Sequence, residues 1–478
     1  MDWGAGITYL AQTKFKGQMT PFGIKDADRF EHLSALGRPS NATGLLAQIA
    51  LQDIARGVGT VILDATGGLT QSVLERIPES VTSRLIFLDP SDSENPFSWN
   101  SVDEFRALPR EEATQLLSHA VAALYRIADS ALTGFIAGWM LADTEATLLL
   151  LYELVTDETL RAVLPKEARA AFESLLEEHA DDVTTVREQG RYLAKDLLVR
   201  NLLGQRESKV SLASLPEGGI LVVDLSKIRV FPTRITPLVR LFVHTVRAQA
   251  RRRNRPVTIF LNECIKYLEP ADVARLFGER TLAFSFTDTV HSEEDEAHRD
   301  KVLLHTSSIF ACTLLAEDTK AGERIFYPYI SPEELVALPE GEAAIALTID
   351  GVRAKPFFAS VLPLLPHQGI SPHDLLIRSR TRYATPRQKV EEMLQKKTQN
   401  IEKEKDKDKD KDKDTDPGSF SDAFRSIFAK NATPPASPKA PPPAPAVKLA
   451  ERIVPPTRAK SEIAEAELRT MLYVKPVY

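Results

Sequence analysis

Between His32 and Asp64 the chain reads HLSALGRPSNATGLLAQIALQDIARGVGTVILD, and this stretch limits the possible folds more than any other. A short apolar run ends at Gly37, after which Leu45, Leu46, Ile49, Ala50 and Ile54 recur at helical spacing. Gly57 and Gly59 supply a stop, and Val61, Ile62 and Leu63 form a second apolar run. Strand, glycine-started loop, amphipathic helix and buried strand make a βαβ unit, as in nucleotide-binding folds.

A phosphate-binding loop at such a turn reads GxxxxGK[ST]. Its backbone N–H groups cradle the phosphates, its Lys reaches the β- and γ-phosphates, and its hydroxyl binds Mg²⁺. Counted from Gly37, the corresponding residues are Gly37, Arg38, Pro39, Ser40, Asn41, Ala42, Thr43 and Gly44. Ala42 then stands for the second glycine, Thr43 for the lysine and Gly44 for the hydroxyl residue, and Pro39 removes one N–H from the cradle. Each missing donor costs about 3 kcal/mol of transition-state stabilisation, roughly a hundredfold in rate.

Strand and helix signals alternate on either side of this unit. GGLTQSVLERI reads as a helix and SRLIFLD as a strand; later GGILVVDLS (218–226), VTIFLNE (257–263) and LAFSFT (282–287) read as strands. From about Asp103 to Leu203 only helical periodicity appears. EAAIALTI and AKPFFASVL read as a hairpin closed at Asp350-Gly351. Residues 1–31 read as a short lead-in with a turn at Pro21 and Gly23. Beyond Thr385 PRQKVEEMLQKK reads as a short helix, and a charge-alternating run and a proline-rich run read as a tail without a core; within it SFSDAFRSIFAK (419–430) and SEIAEAELRTMLY (461–473) carry helical spacing.

A net charge of -6 argues against a generally basic nucleic-acid coat. Two cysteines far apart, Cys264 and Cys312, give no disulfide framework or zinc spacing and fit a reducing compartment. The start of the chain lacks the apolar core of a signal peptide, and Asp143 and Glu145 interrupt the most apolar interior stretch, so no membrane span is expected.

The runs PFGIKDADRFEHL, ALQDIARGVGTVILDATGGL, ERIPESVTSRLIFLDPSDSENPFSWN, LLVRNLLGQRESKVSLASLPEGGILVVDLSK and LPEGEAAIALTIDGVRAKPF together resemble the soluble ATPase part of type IV secretion coupling proteins. These are the TraG/TraD-type DNA-translocating ATPases of the HerA/FtsK group, and the resemblance spans about residues 15–385. It implies a RecA-like P-loop domain, usually hexameric, that hydrolyses ATP to move DNA toward a secretion channel. The family's membrane-spanning N-terminal segment is not expected among these residues, which leaves anchoring at the envelope open. The strand ending in Asp-Glu, where Asp helps to hold Mg²⁺ and Glu orients water, corresponds to Asn262-Glu263. The polar γ-phosphate sensor falls nearest Thr289, and the family's DPHGD turn corresponds to Asp64-Ala65-Thr66-Gly67-Gly68.

The expected fold is therefore α/β: a RecA-like P-loop NTPase fold with a mostly parallel sheet, an inserted all-α domain and a disordered C-terminal tail. Residues 1–105 and 204–385 form the two parts of the RecA-like domain, 106–203 the insertion, and 386–478 the tail with its short helical islands. Scaffold positions match while phosphate, metal and sensor positions do not. That pattern points to a non-hydrolysing pseudo-ATPase needing no cofactor, which assembles with or regulates an active DNA-translocating ATPase. Its expected partners are an active coupling-protein paralogue or further copies of itself, secretion-channel components, and DNA. The expected location is the cytoplasm, with recruitment to the inner face of the cell membrane.

Two alternatives stand beside it: an active ATP- and Mg²⁺-dependent DNA translocase in which Arg38 or another cation replaces the lysine, and a DNA-binding adaptor without nucleotide. For the adaptor, Arg251, Arg252, Arg253 and Arg255 are the candidate DNA-phosphate contacts, against a simple helix cap by the same cations. HSEEDEAH (291–298) reads as a solvated surface loop.

Overall fold

The computed structural model describes residues 6–15, 17–315, 318–367 and 371–395. The two tail islands lie outside the described residues. In chain order the strands are β1 (Ile7–Phe15), β2 (Gln18–Lys25), β3 (Leu33–Leu36), β4 (Gly59–Asp64), β5 (Leu85–Leu88), β6 (Ile220–Asp224) and β7 (Val257–Asn262). They continue with β8 (Leu282–Thr287), β9 (Ser308–Cys312), β10 (Glu342–Ala346), β11 (Thr348–Ile349), β12 (Val352–Arg353) and β13 (Phe357–Val361).

Among the described residues, 11 strands form one sheet in the order β2-β1-β13-β10-β9-β3-β8-β7-β4-β6-β5. From β9 to β5 every neighbouring pair is parallel; β10, β13, β1 and β2 extend the sheet with antiparallel pairs. β4 and β7 are buried along their whole length, which is why GTVILD and VTIFLN read as continuous rather than alternating apolar runs.

The helix Pro39–Arg56 joins β3 to β4, and its Leu45, Leu46, Ile49, Ala50 and Ile54 are buried. It ends where expected, at Gly57, which adopts φ 73°. Between β5 and β6 the chain makes helices only: Asp103–Arg106, Arg110–Tyr125, Ala131–Ala142, Leu150–Thr156, Lys166–Glu178, Ala180–Lys195 and Leu197–Leu203, with short 3-10 turns at Leu160–Val163 and Leu215–Glu217. Trp99, at the entry to this segment, stacks on Phe242 of the helix Pro232–Arg253 with ring centroids 4.7 Å apart.

Three local expectations are corrected. The lead-in is not a simple approach to the core: it forms β1 and β2. Pro21 and Gly23 lie inside β2, an edge strand, where the missing proline N–H costs no ladder bond. A register shift between Tyr9 and Ala11 turns Tyr9's backbone toward the helix Pro39–Arg56, where Gln52 accepts from its N–H at 2.9 Å and donates to its carbonyl at 2.8 Å.

HSEEDEAH is not a loop but the start of a helix, Glu293–Leu303; Ser292 caps it and four acidic residues occupy its first turn, complementing the dipole. The expected closing hairpin divides in two. β10 pairs with β13, and a two-stranded ribbon, β11-β12, turns at Asp350 (φ 50°) and Gly351 (φ 77°). Residues 387–395 are helical, as PRQKVEEMLQKK reads, and their Val390 is buried.

Candidate nucleotide-binding site

Because β3, β4, β7 and β8 are parallel, their carboxyl ends share one edge of the sheet, the usual place for a ligand in an open α/β fold. That edge gathers Gly37, Thr43, Asp64, Asn262, Glu263 and Thr289.

Gly37 has φ 106°, and a Cβ there would lie 1.7 Å from the Cys312 carbonyl oxygen. Arg38 N–H donates to the Thr313 carbonyl at 3.1 Å, so the chain leaves β3 pressed against the end of β9. The helix begins at once, with Pro39 as its first residue. Asn41 and Ala42 both donate their N–H groups to the Arg38 carbonyl, at 3.1 and 3.2 Å. The connection is thus Gly37-Arg38 alone, and positions expected to form a loop have become the first turns of a helix. Arg38 and Ser40 are exposed, Asn41 donates to the Thr313 hydroxyl at 3.5 Å, and Gly44 sits inside the helix.

Behind this turn lies a closed polar network. The Thr43 hydroxyl donates to Asn262 Oδ1 at 3.2 Å. Asn262 Nδ2 donates to Asp64 Oδ1 and to the Thr66 hydroxyl, each at 2.7 Å. Asp64 also accepts from the Thr66 N–H at 2.9 Å, the Thr66 hydroxyl at 3.0 Å and the Thr70 N–H at 2.7 Å. Asn262 and Asp64 are both fully buried. An amide suits position 262, since it donates to Asp64 while accepting from Thr43.

Glu263 is held in a second cluster. Its backbone takes φ 56°, and its carboxylate accepts from the Thr289 hydroxyl at 2.6 Å, the Thr289 N–H at 3.0 Å and Lys266 Nζ at 3.3 Å. Lys266 also faces Asp288 at 3.5 Å. Asp288 is buried with neither carboxylate oxygen hydrogen-bonded, and burial pushes its pKa up to about 8 although Lys266 pulls it down. Burial likewise raises the Cys264 thiol far above its ordinary value.

Two N–H groups of the candidate cradle, those of Asn41 and Ala42, are bonded to the Arg38 carbonyl, and an amide bonded to Asp64 stands where a carboxylate would help hold a hard dication. Of the sequence candidates, the structure brings Thr43, Asp64 and Asn262 into one network and Glu263 with Thr289 into another. Sequence reasoning missed Thr70, Lys266 and Asp288; Lys266 follows Glu263 by one helical turn, and Asp288 precedes the candidate sensor.

The fold has known counterparts. This chain is similar to the bacterial conjugative coupling protein TrwB, in an unbound form, over 76% of its own length and 90% of that chain, with 16% identity and a TM-score of 0.50. Against the plasmid coupling protein TrwB in complex with the non-hydrolysable ATP analogue ADPNP the figures are 73%, 88%, 16% and 0.52. The chain has the RecA-like P-loop NTPase fold. No family model and no curated protein matches the sequence.

Within that RecA-like fold the arginine cluster lies far from the candidate site. The helix Pro232–Arg253 ends at the amino end of β7, about 20 Å along the strand from Asn262. Arg251 pairs with Glu279 at 3.0 Å and Glu112 at 3.5 Å, and Arg253 with Glu217 at 3.4 Å. Arg252 and Arg255 are exposed, without an ion-pair partner among the described residues. His291 is exposed, and His298 bonds the Leu268 carbonyl at 2.7 Å; among the described residues no group of three ligating side chains could hold a metal ion. No helix among the described residues is long and apolar enough to cross a membrane.

Proposed function

We propose that this chain is a coupling-protein-like subunit of a type IV secretion or conjugative DNA-transfer system that does not hydrolyse ATP. It serves as a structural or regulatory neighbour of a catalytically competent ATPase. The fold likeness to TrwB supports the first half of this reading. The Thr43–Asn262–Asp64 network carries the second, because hydrogen bonds occupy the place where phosphate and metal would have to be held.

In an active P-loop site the loop hydroxyl and the acidic strand residue hold the same Mg²⁺ and are therefore neighbours. Here the hydroxyl facing Asn262 is that of Thr43. On this reading Thr43 takes the hydroxyl's place and Ala42 the lysine's, one residue earlier than a count from Gly37 gives. Arg38 stands at the helix N-cap with an exposed side chain that makes no capping hydrogen bond, four residues before Ala42. The motor's active sites lie between subunits in the family resembled, so an inert neighbour could still complete a partner's site; the cytoplasm at the inner face of the membrane is the corresponding location.

Mixing the purified chain with an active coupling ATPase of the same system tests this. Co-migration on a sizing column together with a changed turnover of the partner is the expected result. No association, with the partner's turnover unaffected, would remove the subunit reading.

A further inference from the structure

A second concavity lies at the opposite edge of the sheet. Since β3, β8 and β9 are parallel, the residues that precede them meet there: Glu31 and His32, Glu279 and Arg280, Thr306 and Ser307. They line a cavity of about 550 Å³, a volume suited to a small organic ligand. The β11-β12 ribbon contributes Arg353 to the wall. The length of β3, about 13 Å, separates this cavity from Gly37.

Its wall is partly aromatic. His32 packs on Phe277 with ring centroids 4.2 Å apart, and both of its ring nitrogens are engaged: Nε2 with the Phe277 carbonyl at 2.9 Å, Nδ1 accepting from the Phe284 N–H at 3.2 Å. Burial lowers its pKa to about 4, so at neutral pH it is an uncharged ring behind the lining.

The charges are arranged unevenly. Arg280 and Arg353 are exposed on the lining, and neither makes an ion pair with a described residue. Glu279 is already neutralised by Arg247 at 2.5 Å and Arg251 at 3.0 Å. That leaves two unpaired guanidinium groups, His305 and one carboxylate, Glu31, around the opening.

We propose that this cavity binds an organic phosphate monoester. Arg280 and Arg353 hold the phosphate, Leu304, exposed on the lining, packs against the organic part, and Glu31 accepts from its hydroxyl groups. A monoester carries nearly two negative charges at neutral pH, matching two guanidinium groups, whereas a phosphodiester carries one. Arginine also meets phosphate oxygens in paired hydrogen bonds, and low-dielectric walls strengthen the field at the opening.

Calorimetric titration of the full chain with adenosine monophosphate, without Mg²⁺, is the test. One molecule should bind, and the Arg280→Ala/Arg353→Ala variant should bind at least about tenfold more weakly. Both arginines are exposed, so the variant should retain the natural chain's circular dichroism. A single-stranded oligonucleotide without terminal phosphate should not displace the probe. No binding at millimolar probe, equal binding by the variant, or ready displacement by the oligonucleotide would overturn the proposal, the last pointing instead to a nucleic-acid surface.

Discussion

Asn262 Nδ2 lies 2.7 Å from Asp64 Oδ1, inside a site where both side chains are fully buried. The amide therefore neutralises a geometry that two carboxylates could not share. Replacing Asn262 by Asp would set like charges in contact away from water, and one of the two would retain its proton well above the ordinary carboxylate range.

The Asn262→Asp variant is accordingly expected to lose about 1–3 kcal/mol at about pH 8. The folded form holds an extra proton, so its stability falls as pH rises and the deficit narrows toward about pH 5. Thermal unfolding across that range checks this. A melting temperature equal to that of the natural chain at about pH 8 would contradict it.

Asp288 offers a second pH-dependent test. Its pKa is raised from 3.8 to about 8, chiefly by burial, so the folded chain binds a proton across this window that the unfolded chain has lost. Stability from this group thus declines as pH rises from about 4 to about 8. Asp288→Asn keeps the shape and removes the titration, so its unfolding curve should be flatter with pH and lie above the natural one past about pH 8. Parallel curves would rule out this role for Asp288.

Two glycines of the candidate loop should respond in opposite directions. Gly37→Ala forces a Cβ against the backbone carbonyl of Cys312 at φ 106°, and little or no folded protein is expected. Gly44 lies in a helix with nothing within 4 Å of its would-be Cβ, so Gly44→Ala should stabilise by about 0.5–1 kcal/mol. Chemical denaturation of both variants distinguishes them.

The buried ion pair beneath the helix Pro39–Arg56 should be costly to break from one side. Arg29 Nη1 meets Asp53 at 2.6 Å with both side chains at 1% exposure or less, and Arg56 meets the same carboxylate at 2.7 Å. Asp53→Asn leaves the buried Arg29 without its counter-charge, while Arg56 keeps Asp26 at 2.8 Å, and a loss of about 3 kcal/mol is expected. A change below about 1 kcal/mol would show that the pair is dispensable.

Strands with continuous apolar runs were legible in the sequence: Leu282–Thr287 occupies the expected residues, and Val257–Asn262 stops one short of the expected Glu263. The same logic failed at β1 and β2, whose pairing depends on contacts with β13 and on Gln52, far away in sequence, and whose Pro21 and Gly23 look like turn residues. At the candidate site, counted from Gly37, the sequence shows Thr43 where the motif has lysine and Ala42 where it has its second glycine. The loss of the loop itself was not legible, although Pro39 at a first helical position was the available signal. The clamp on Glu263 by Lys266 and Thr289 was hidden because β7 and β8 join only in the folded sheet, where Asn262 stands beside Thr287.

On the proposed function, the carboxyl edge of the sheet does not support catalysis. Turnover of γ-labelled Mg-ATP by the natural chain and by a Glu263→Gln variant checks this. Neither protein should show turnover above background. Turnover by the natural chain that disappears in Glu263→Gln would contradict it.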